Sequence, residues 1–442
     1  MDKLLSWLDF LETKTIQLKH SFGRGINANS PSDENELYTK SYEAFEKKDI
    51  LNAYEYFFKT LENFSFDKSN HNIILNKDEK KLNFEIYQGS AKVTGYITQE
   101  YLYAQVILIN KENVHVALKR YILERNYQLT YSNYATDDKY IKLKLYHDNI
   151  TMNPQKIFYP LRELALNADF DKEYIKNEFS DILLQDISHI KTVDTNELKI
   201  KYNFLQKWII EVENKISTLP SNDNAGMQAY IYLNILFKID YLIVPKYEIY
   251  QNISKKVQQY FNEEGLSTEA RNEKLKHYID KLKNIKFEDF CTKFYSAKYT
   301  FAPVEKTSYE EITNFINESL SKIRWYKNNR YNQIIPTLYN YISFYILYNY
   351  GINPIIKSLL HTFIEVHNSK YFKALGYDIL YDEKSNNFSK KMIITKISDS
   401  IEPHKNRFKS LESFGEKLNF SSLNEFSNSF YLQLNNLNFE EI

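Results

Sequence analysis

The first twenty residues alternate apolar and polar positions with the period of an α-helix. Leu4, Leu8 and Leu11 recur three or four residues apart, and charged side chains occupy positions between them. This spacing predicts an amphipathic helix over residues 1–20. A polar run with two glycines follows, so residues 1–30 are predicted to form a terminal helix and a linker.

Two short helices and then a series of strands are predicted for the next part of the chain. Residues 37–64 form two apolar stripes at helical spacing, with a turn at 47–49 between them. The hydrophobic period then falls to two, and β-branched and aromatic residues predict strands at 73–75, 82–88, 91–98, 101–109, 127–134 and 140–146. Helical spacing predicts helices at 114–124 and 154–168. This order of elements predicts an α+β domain over residues 31–180, in which helices cover one face of an antiparallel sheet.

One stretch of this domain has a pattern seen in a known group of proteins. It begins with a helix ending in the letters LERNY, continues through the strand at 140–145 and finishes with a helix ending in NAD. Residues 114–171 therefore resemble the type III secretion chaperone-like fold, which YbjN-like bacterial proteins share, and the likeness extends over residues 37–179. The resemblance implies a protein that binds other proteins, often as a homodimer, and that has no catalytic residues.

Helical spacing returns after residue 182 and continues to the end of the chain. It predicts helices at 196–217, 226–242, 247–263, 267–284, 309–328, 331–350 and 354–375. A small β-hairpin is predicted within residues 377–397, with strands at 377–382 and 391–397, and two helices are expected after it. The predicted fold class is thus an α+β domain followed by a mostly α-helical domain over residues 181–442.

Composition narrows the classes of function. Lys plus Arg and Asp plus Glu number 57 each, so the chain lacks the positive charge that nucleic-acid-binding proteins use against phosphates. A chain of 442 residues that is 43% hydrophobic buries enough core to need no disulfide or metal. The single cysteine, Cys291, fits a reducing compartment, and the charged N-terminus lacks the apolar stretch of a signal peptide. We therefore expect a cytoplasmic protein with no membrane span and no cofactor.

Motifs for catalysis or metal binding are missing from the sequence. His361 and His367 are six residues apart, which places them about 120° apart around a helix, whereas zinc proteases space such a pair by four. His361 and Glu365 face together but supply only two ligands. Cys291 has no histidine within ten residues and has aromatic neighbours, which indicates a buried, inert thiol. We predict no catalytic residue and no metal site.

Tyrosine is unusually abundant, with 38 residues in the chain. Tyrosine and tryptophan are enriched at the energetic centres of protein interfaces, because each combines a large apolar ring with a polar group. The residues predicted to contact a partner are Trp325, Tyr339, Tyr341, Tyr345 and Tyr348. This pattern favours a protein-binding adaptor or chaperone of the bacterial cytoplasm, whose partner is another protein. The resemblance adds a homodimer as the expected assembly.

Two alternatives remain open. The stretch 322–331 combines Lys322, Arg324, Lys327 and Arg330 with aromatic side chains that stack on bases, which indicates a nucleic-acid-associated factor. In the competing interpretation Trp325 packs into the core and the cations form a solvated rim. The second alternative is an enzyme whose site in the helical domain is assembled from residues distant in sequence.

Overall fold

A computed structural model describes residues 20–23, 36–62, 71–220, 222, 224–263, 265–406, 408 and 410–440. The predicted helix over residues 1–20 lies outside the described residues except for His20, and so does the linker beyond Gly23. Within the described residues, buried hydrophobic side chains form two clusters, one around a β-sheet and one among helices. The predicted fold class, an α+β domain followed by a mostly helical region, is confirmed.

The sheet half begins with the predicted helical hairpin, in which a left-handed Lys48 forms the turn. Its helices are α1 (Glu36–Glu46), α2 (Ile50–Leu61), α3 (Val116–Asn126) and α4 (Pro154–Glu178). Its strands are β1 (Ile73–Lys77), β2 (Leu82–Gln88), β3 (Ala91–Ile97), β4 (Tyr101–Asn110), β5 (Asn133–Thr136) and β6 (Tyr140–Asp148).

All six strands belong to one antiparallel sheet with the order β1-β2-β3-β4-β6-β5. Along β6, Ile141, Leu143 and Leu145 are buried and the residues between them are more exposed, as the period of two requires. α4 packs against β2, β3, β4 and β6. Burial of this alternating apolar face against α4 therefore holds the sheet half together.

The predicted strand at 127–134 is wrong over most of its length. Only its last two residues pair with β6, as part of β5. The backbone N–H groups of Thr130, Tyr131 and Ser132 instead donate to the carboxylate of Glu163 on α4, at 2.8, 2.9 and 2.9 Å. A side chain distant in sequence thus satisfies the donors that a strand would have used.

α4 is ten residues longer than predicted, because it continues past Ala168 to Glu178. The sequence after Ala168 is polar, which is typical of a helix end. Asp171, Lys172 and Glu173 are nevertheless buried. Glu173 accepts a hydrogen bond from Tyr295 of the helical half, whereas Asp171 pairs with Arg125 of the sheet half.

The helical half contains eleven helices among the described residues. They are α5 (Thr195–Ser217), α6 (Ala225–Lys238), α7 (Tyr247–Asn262), α8 (Thr268–Lys283), α9 (Phe287–Cys291), α10 (Tyr309–Asn328), α11 (Ile335–Asn349), α12 (Pro354–His367), α13 (Ser369–Ala374), α14 (Lys390–Ile401) and α15 (Leu423–Leu434). A π-helical turn, Ile239–Ile243, continues α6.

The predicted hairpin near 377–397 is smaller than expected. Its strands are β7 (Tyr381–Asp382) and β8 (Asn387–Phe388). The predicted second strand at 391–397 is wrong, since those residues belong to α14. Ile393, Ile397 and Ile401 are buried four residues apart, and that is a helical period.

A segment of the helical half enters the sheet half. Thr300 and Phe301 donate their backbone N–H groups to the side-chain oxygen of Gln88, at 3.0 and 2.7 Å. The Phe301 ring is fully buried in the sheet cluster and lies 5.6 Å from that of Phe158. We call residues 294–303 the linking segment. It joins the two hydrophobic clusters that the sequence predicts as separate domains.

Among the described residues, none of the helices has the length and apolar character that crossing a membrane requires.

Candidate functional site

A pocket of about 680 Å³ opens between helices α6, α7, α8, α10 and α11. Most of its large side chains are aromatic, and five of them are tyrosines. We call it the tyrosine pocket. Its aromatic lining consists of Tyr230, Tyr260, Phe261, Phe315, Tyr341, Tyr345 and Tyr350.

Ring contacts between neighbouring helices fix the shape of the tyrosine pocket. Tyr341 and Tyr345 lie one turn apart on α11 and therefore project to the same side. Tyr341 meets Tyr230 of α6 edge to face, with ring centroids 5.0 Å apart. Tyr345 stacks on Phe315 of α10 at 4.4 Å. Offset-stacked and edge-to-face pairs of this kind are stable, so the cavity walls are preorganised.

The phenol groups of the pocket have unused hydrogen-bonding capacity. Within the described part of the chain, none of the five tyrosine hydroxyls makes a hydrogen bond. The side chain of Tyr341 is only 7% exposed. Burial, followed by the nearby phenol of Tyr345, raises the pKa of Tyr341 well above its ordinary value. A phenol hydroxyl both donates and accepts hydrogen bonds, so these groups can bond to the polar atoms of a ligand.

Negative charge lies beside the aromatic rings. Glu311 and Glu318 of α10 line the pocket, and among the described residues that line it Lys322 is the one basic side chain. Burial raises the pKa of Tyr350, and the nearby charges of Tyr345, Glu311 and Glu318 add to that shift. Aromatic faces attract cations, and nearby carboxylates strengthen that attraction. The pocket is therefore suited to an ammonium or guanidinium group that also accepts or donates hydrogen bonds.

Only part of the predicted tyrosine surface lies in this pocket. Tyr341 and Tyr345 line it, whereas Tyr339 is buried on another side of α11 and stacks on Tyr431 of α15. Tyr348 packs against Phe237, with ring centroids 4.7 Å apart. Helical geometry explains the division, because residues 339 and 341 lie about 200° apart around the helix axis.

The predicted basic and aromatic stretch lies at the end of α10. Trp325 is 56% exposed, so its interpretation as a core residue is wrong. Its indole stacks on Tyr331 at a centroid distance of 6.2 Å. Exposed cations surround it, namely Lys322, Arg324, Lys327 and Arg330. Lys322 is shared with the tyrosine pocket.

The histidine and cysteine candidates have structural partners. His361 contacts Glu365 at 3.2 Å and shares a hydrogen bond with the hydroxyl of Tyr241 at 2.8 Å. Burial lowers the pKa of His367 to about 3, so this side chain is neutral. Cys291 is partly buried against the helical cluster, and burial raises the pKa of its thiol. In the described ranges, no group of three or more His, Cys, Asp or Glu side chains has the geometry to hold a metal ion.

Sequence patterns did not identify most of the pocket. Its lining comes from five helices, and Tyr230 and Tyr350 are 120 residues apart in the sequence. Helical periodicity identifies which side chains share a face on one helix but not which helices pack together. The available signal was the Tyr341 and Tyr345 pair, which does line the pocket.

Comparison with models of known protein families gives no match to the chain, and comparison with curated protein sequences gives no significant relative.

Proposed function

We propose that this protein is a non-catalytic protein-binding adaptor or chaperone that takes a lysine or arginine side chain of its partner into the tyrosine pocket. The observation that supports the proposal is the convergence of five unpartnered phenols with Glu311 and Glu318 around one cavity. A cation held against an aromatic face gains about 0.5–2 kcal/mol, and desolvation increases the gain. Several such rings give selectivity for a positive side chain.

The cellular setting of the proposal is the bacterial cytoplasm. It is supported by the single cysteine, since secreted domains commonly use pairs of cysteines. A chaperone-like role of the sheet half and a homodimer are parts of the same proposal. Both follow from the resemblance of residues 37–179. The homodimer is tested by measuring the molar mass of the protein in solution.

The proposal is tested by selecting peptides from a random library on the immobilised full chain. We expect the enriched peptides to share a Lys or Arg. Replacing that residue with Gln should weaken binding about tenfold, which corresponds to about 1.4 kcal/mol. Glu318→Gln in the protein should weaken the same peptides several-fold and reduce their salt dependence, because one attracting charge is removed.

Glu310→Gln is the matched control, since Glu310 is exposed on α10 but does not line the pocket. Tyr341→Phe tests the phenol without emptying the cavity. Enriched peptides without a cation, or binding unchanged by both Glu318→Gln and Tyr341→Phe, would contradict the proposal.

A second candidate function is association with single-stranded nucleic acid at the end of α10. The exposure of Trp325 among Arg324, Lys327 and Arg330 favours it, because bases stack on exposed rings and cations neutralise phosphates. An electrophoretic shift at low salt should disappear in Trp325→Ala and weaken at high salt. The absence of any shift at low salt would exclude this function.

A further inference from the structure

A second cavity, of about 350 Å³, lies between the sheet half and the helical half. We call it the junction cavity. Clefts between structural units are common places for small-molecule sites, and this volume falls at the lower end of their usual range. Its charged lining includes Asp169 and Glu173 of α4, Asp240 of the π-helical turn and Lys246 just before α7.

One side of the junction cavity is formed by two carboxyl groups one helical turn apart. Asp169 accepts hydrogen bonds from the backbone N–H and the hydroxyl of Ser90, at 2.6 and 2.8 Å. Glu173 is 5% exposed and accepts a hydrogen bond from the hydroxyl of Tyr295 at 2.6 Å. Neighbouring side chains and backbone thus fix both carboxyl groups in place.

The opposite charge is supplied by Lys246, whose side chain is 8% exposed. Its ammonium group is hydrogen-bonded to the hydroxyl of Tyr299 and lies 4.5 Å from the centre of that ring. Arg125 also lines the cavity, but its guanidinium already pairs with Asp171 at 3.0 Å. Lys246 is therefore the cation that is available to a ligand.

The Lys246 amine is not directly paired with the carboxyl group of Asp169 or Glu173. Burial lowers the pKa of Lys246, and the nearby Glu173, Asp169 and Asp240 oppose that shift. Nevertheless, among the residues that the structure describes, no carboxylate oxygen lies within 4 Å of the Lys246 ammonium. Buried charges normally pair directly, since an unpaired ion loses its hydration without compensation. Here the Lys246 amine and the carboxyl groups of Asp169 and Glu173 line one cavity without contacting each other directly.

The backbone around Lys246 is held in a strained form. Val244 has φ +55° and ψ +54°, a left-handed conformation that is rare for a β-branched residue. Tyr247, on the other side of Lys246, has φ +53°. Such conformations cost about 1–3 kcal/mol each and cluster at ligand-binding sites, as do π-helical turns. This strain fixes the position of Lys246 at the cavity.

We propose that the junction cavity binds a small zwitterion of the amino-acid class, with its ammonium group toward Asp169 and Glu173 and its carboxylate toward Lys246. The ligand carboxylate then pairs with Lys246, and the ligand ammonium pairs with Asp169 and donates a hydrogen bond to the carboxyl group of Glu173. Apolar side chains of Leu166, Phe170 and Val244 line the rest of the cavity and accommodate the carbon skeleton. The site is independent of the tyrosine pocket.

The proposal is tested by titrating the full chain calorimetrically with each of the twenty standard L-amino acids. Butylamine and butyrate are the probes with one charge. We expect at least one amino acid to bind with a stoichiometry of one, and each singly charged probe to bind at least tenfold more weakly. L-Lysine and L-arginine also fit the tyrosine pocket, so they are titrated in the Glu318→Gln variant as well.

Three variants locate the binding. Lys246→Met should weaken the amino acid at least tenfold, because the ligand carboxylate loses its partner. Leu166→Phe keeps every charge and fills part of the cavity, so it should weaken binding even if Lys246→Met does not fold. Lys238→Met is the matched control: Lys238 is largely buried over the Trp208 ring but does not line the cavity.

Two results would overturn the proposal. One is the absence of binding by any of the twenty amino acids to the folded wild-type chain. The other is binding that persists in Leu166→Phe, or that butylamine alone reproduces. Tyr341→Phe should weaken peptide binding at the tyrosine pocket and leave the titrations of amino acids other than lysine and arginine unchanged, so the two proposals fail separately.

Discussion

Gly89 occupies the turn between β2 and β3, where a side chain has no room. Its φ is +55°, and a Cβ atom at this position would lie 2.2 Å from a carboxylate oxygen of Asp169. Gly89→Ala should therefore lower the free energy of unfolding by about 1–3 kcal/mol, from the left-handed backbone and the displaced carboxylate together. Urea unfolding followed by circular dichroism measures this change.

Gly265→Ala is the control for Gly89→Ala. Nothing lies within 4 Å of a Cβ atom there, so the free energy of unfolding should change by only a few tenths of a kcal/mol. Equal effects of the two substitutions would show that the contact with Asp169 is unimportant.

Glu173 gives the stability of the protein a pH dependence near neutrality. Burial, and then the charge of Asp169, raises its pKa from 4.5 to about 7. The folded state thus retains a proton that the unfolded state releases, and the resulting stability is complete below pH 4.5 and lost as the pH rises through 7. Glu173→Gln keeps the uncharged form, so relative to wild type it should gain on the order of 1–3 kcal/mol between pH 5 and pH 8.

Urea unfolding of both proteins at pH 5, 6, 7 and 8 measures that gain. Glu178→Gln, an exposed position on the same helix, is the control. A difference between wild type and Glu173→Gln that does not change with pH would refute the assignment.

At the scale of elements, the carboxylate of Glu163 replaces strand pairing for residues 130–132. Burial of Glu163 opposes ionisation, but the backbone donors of Thr130, Ser132 and Tyr131 lower its pKa. Glu163→Gln should weaken these bonds, because a neutral amide accepts hydrogen bonds less strongly than a carboxylate. We expect amide hydrogen exchange at residues 130–132 to accelerate about tenfold, measured by mass spectrometry. Exchange that stays at the wild-type rate would contradict this role.

Periodicity in the sequence predicted most elements but not those that depend on partners distant in sequence. α10 has the bounds that the pattern predicts, since its apolar stripe and its Ser308–Glu311 capping box are both local. The predicted strand at 127–134 fails because Glu163 is thirty residues away in the sequence. The end of α4 is misplaced because its last turns are buried by partners distant in sequence, such as Arg125 for Asp171 and Tyr295 for Glu173.

At the scale of the molecule, the candidate sites could not be predicted from the sequence because residues distant in sequence form each of them. The tyrosine pocket needs α6, α7, α8, α10 and α11 to pack together, and the junction cavity needs α4 to face Lys246. Of the five residues predicted to contact a partner, Tyr341 and Tyr345 line the tyrosine pocket. The residues Asp169, Glu173 and Lys246 form no sequence motif. They come together only when the sheet half and the helical half pack against each other.

The linking segment should make the two halves unfold together. Removing the Phe301 ring takes a fully buried side chain from the sheet cluster, at a cost of about 3–5 kcal/mol. It also removes the ring contact of the linking segment with Phe158 of α4. In wild type we expect one urea transition for both halves, and in Phe301→Ala we expect the sheet half to unfold at lower urea than the helical half.

Two probes separate the halves in that experiment. Hydrogen exchange of β3 and β4 follows the sheet half, whereas fluorescence of Trp208 and Trp325 follows the helical half. Leu432→Ala, at an exposed position of α15, should leave the two transitions coincident. If they also stay coincident in Phe301→Ala, the halves are coupled mainly through the contact of α4 with α7. The charged residues at that contact, rather than the linking segment, would then determine how firmly the junction cavity is closed.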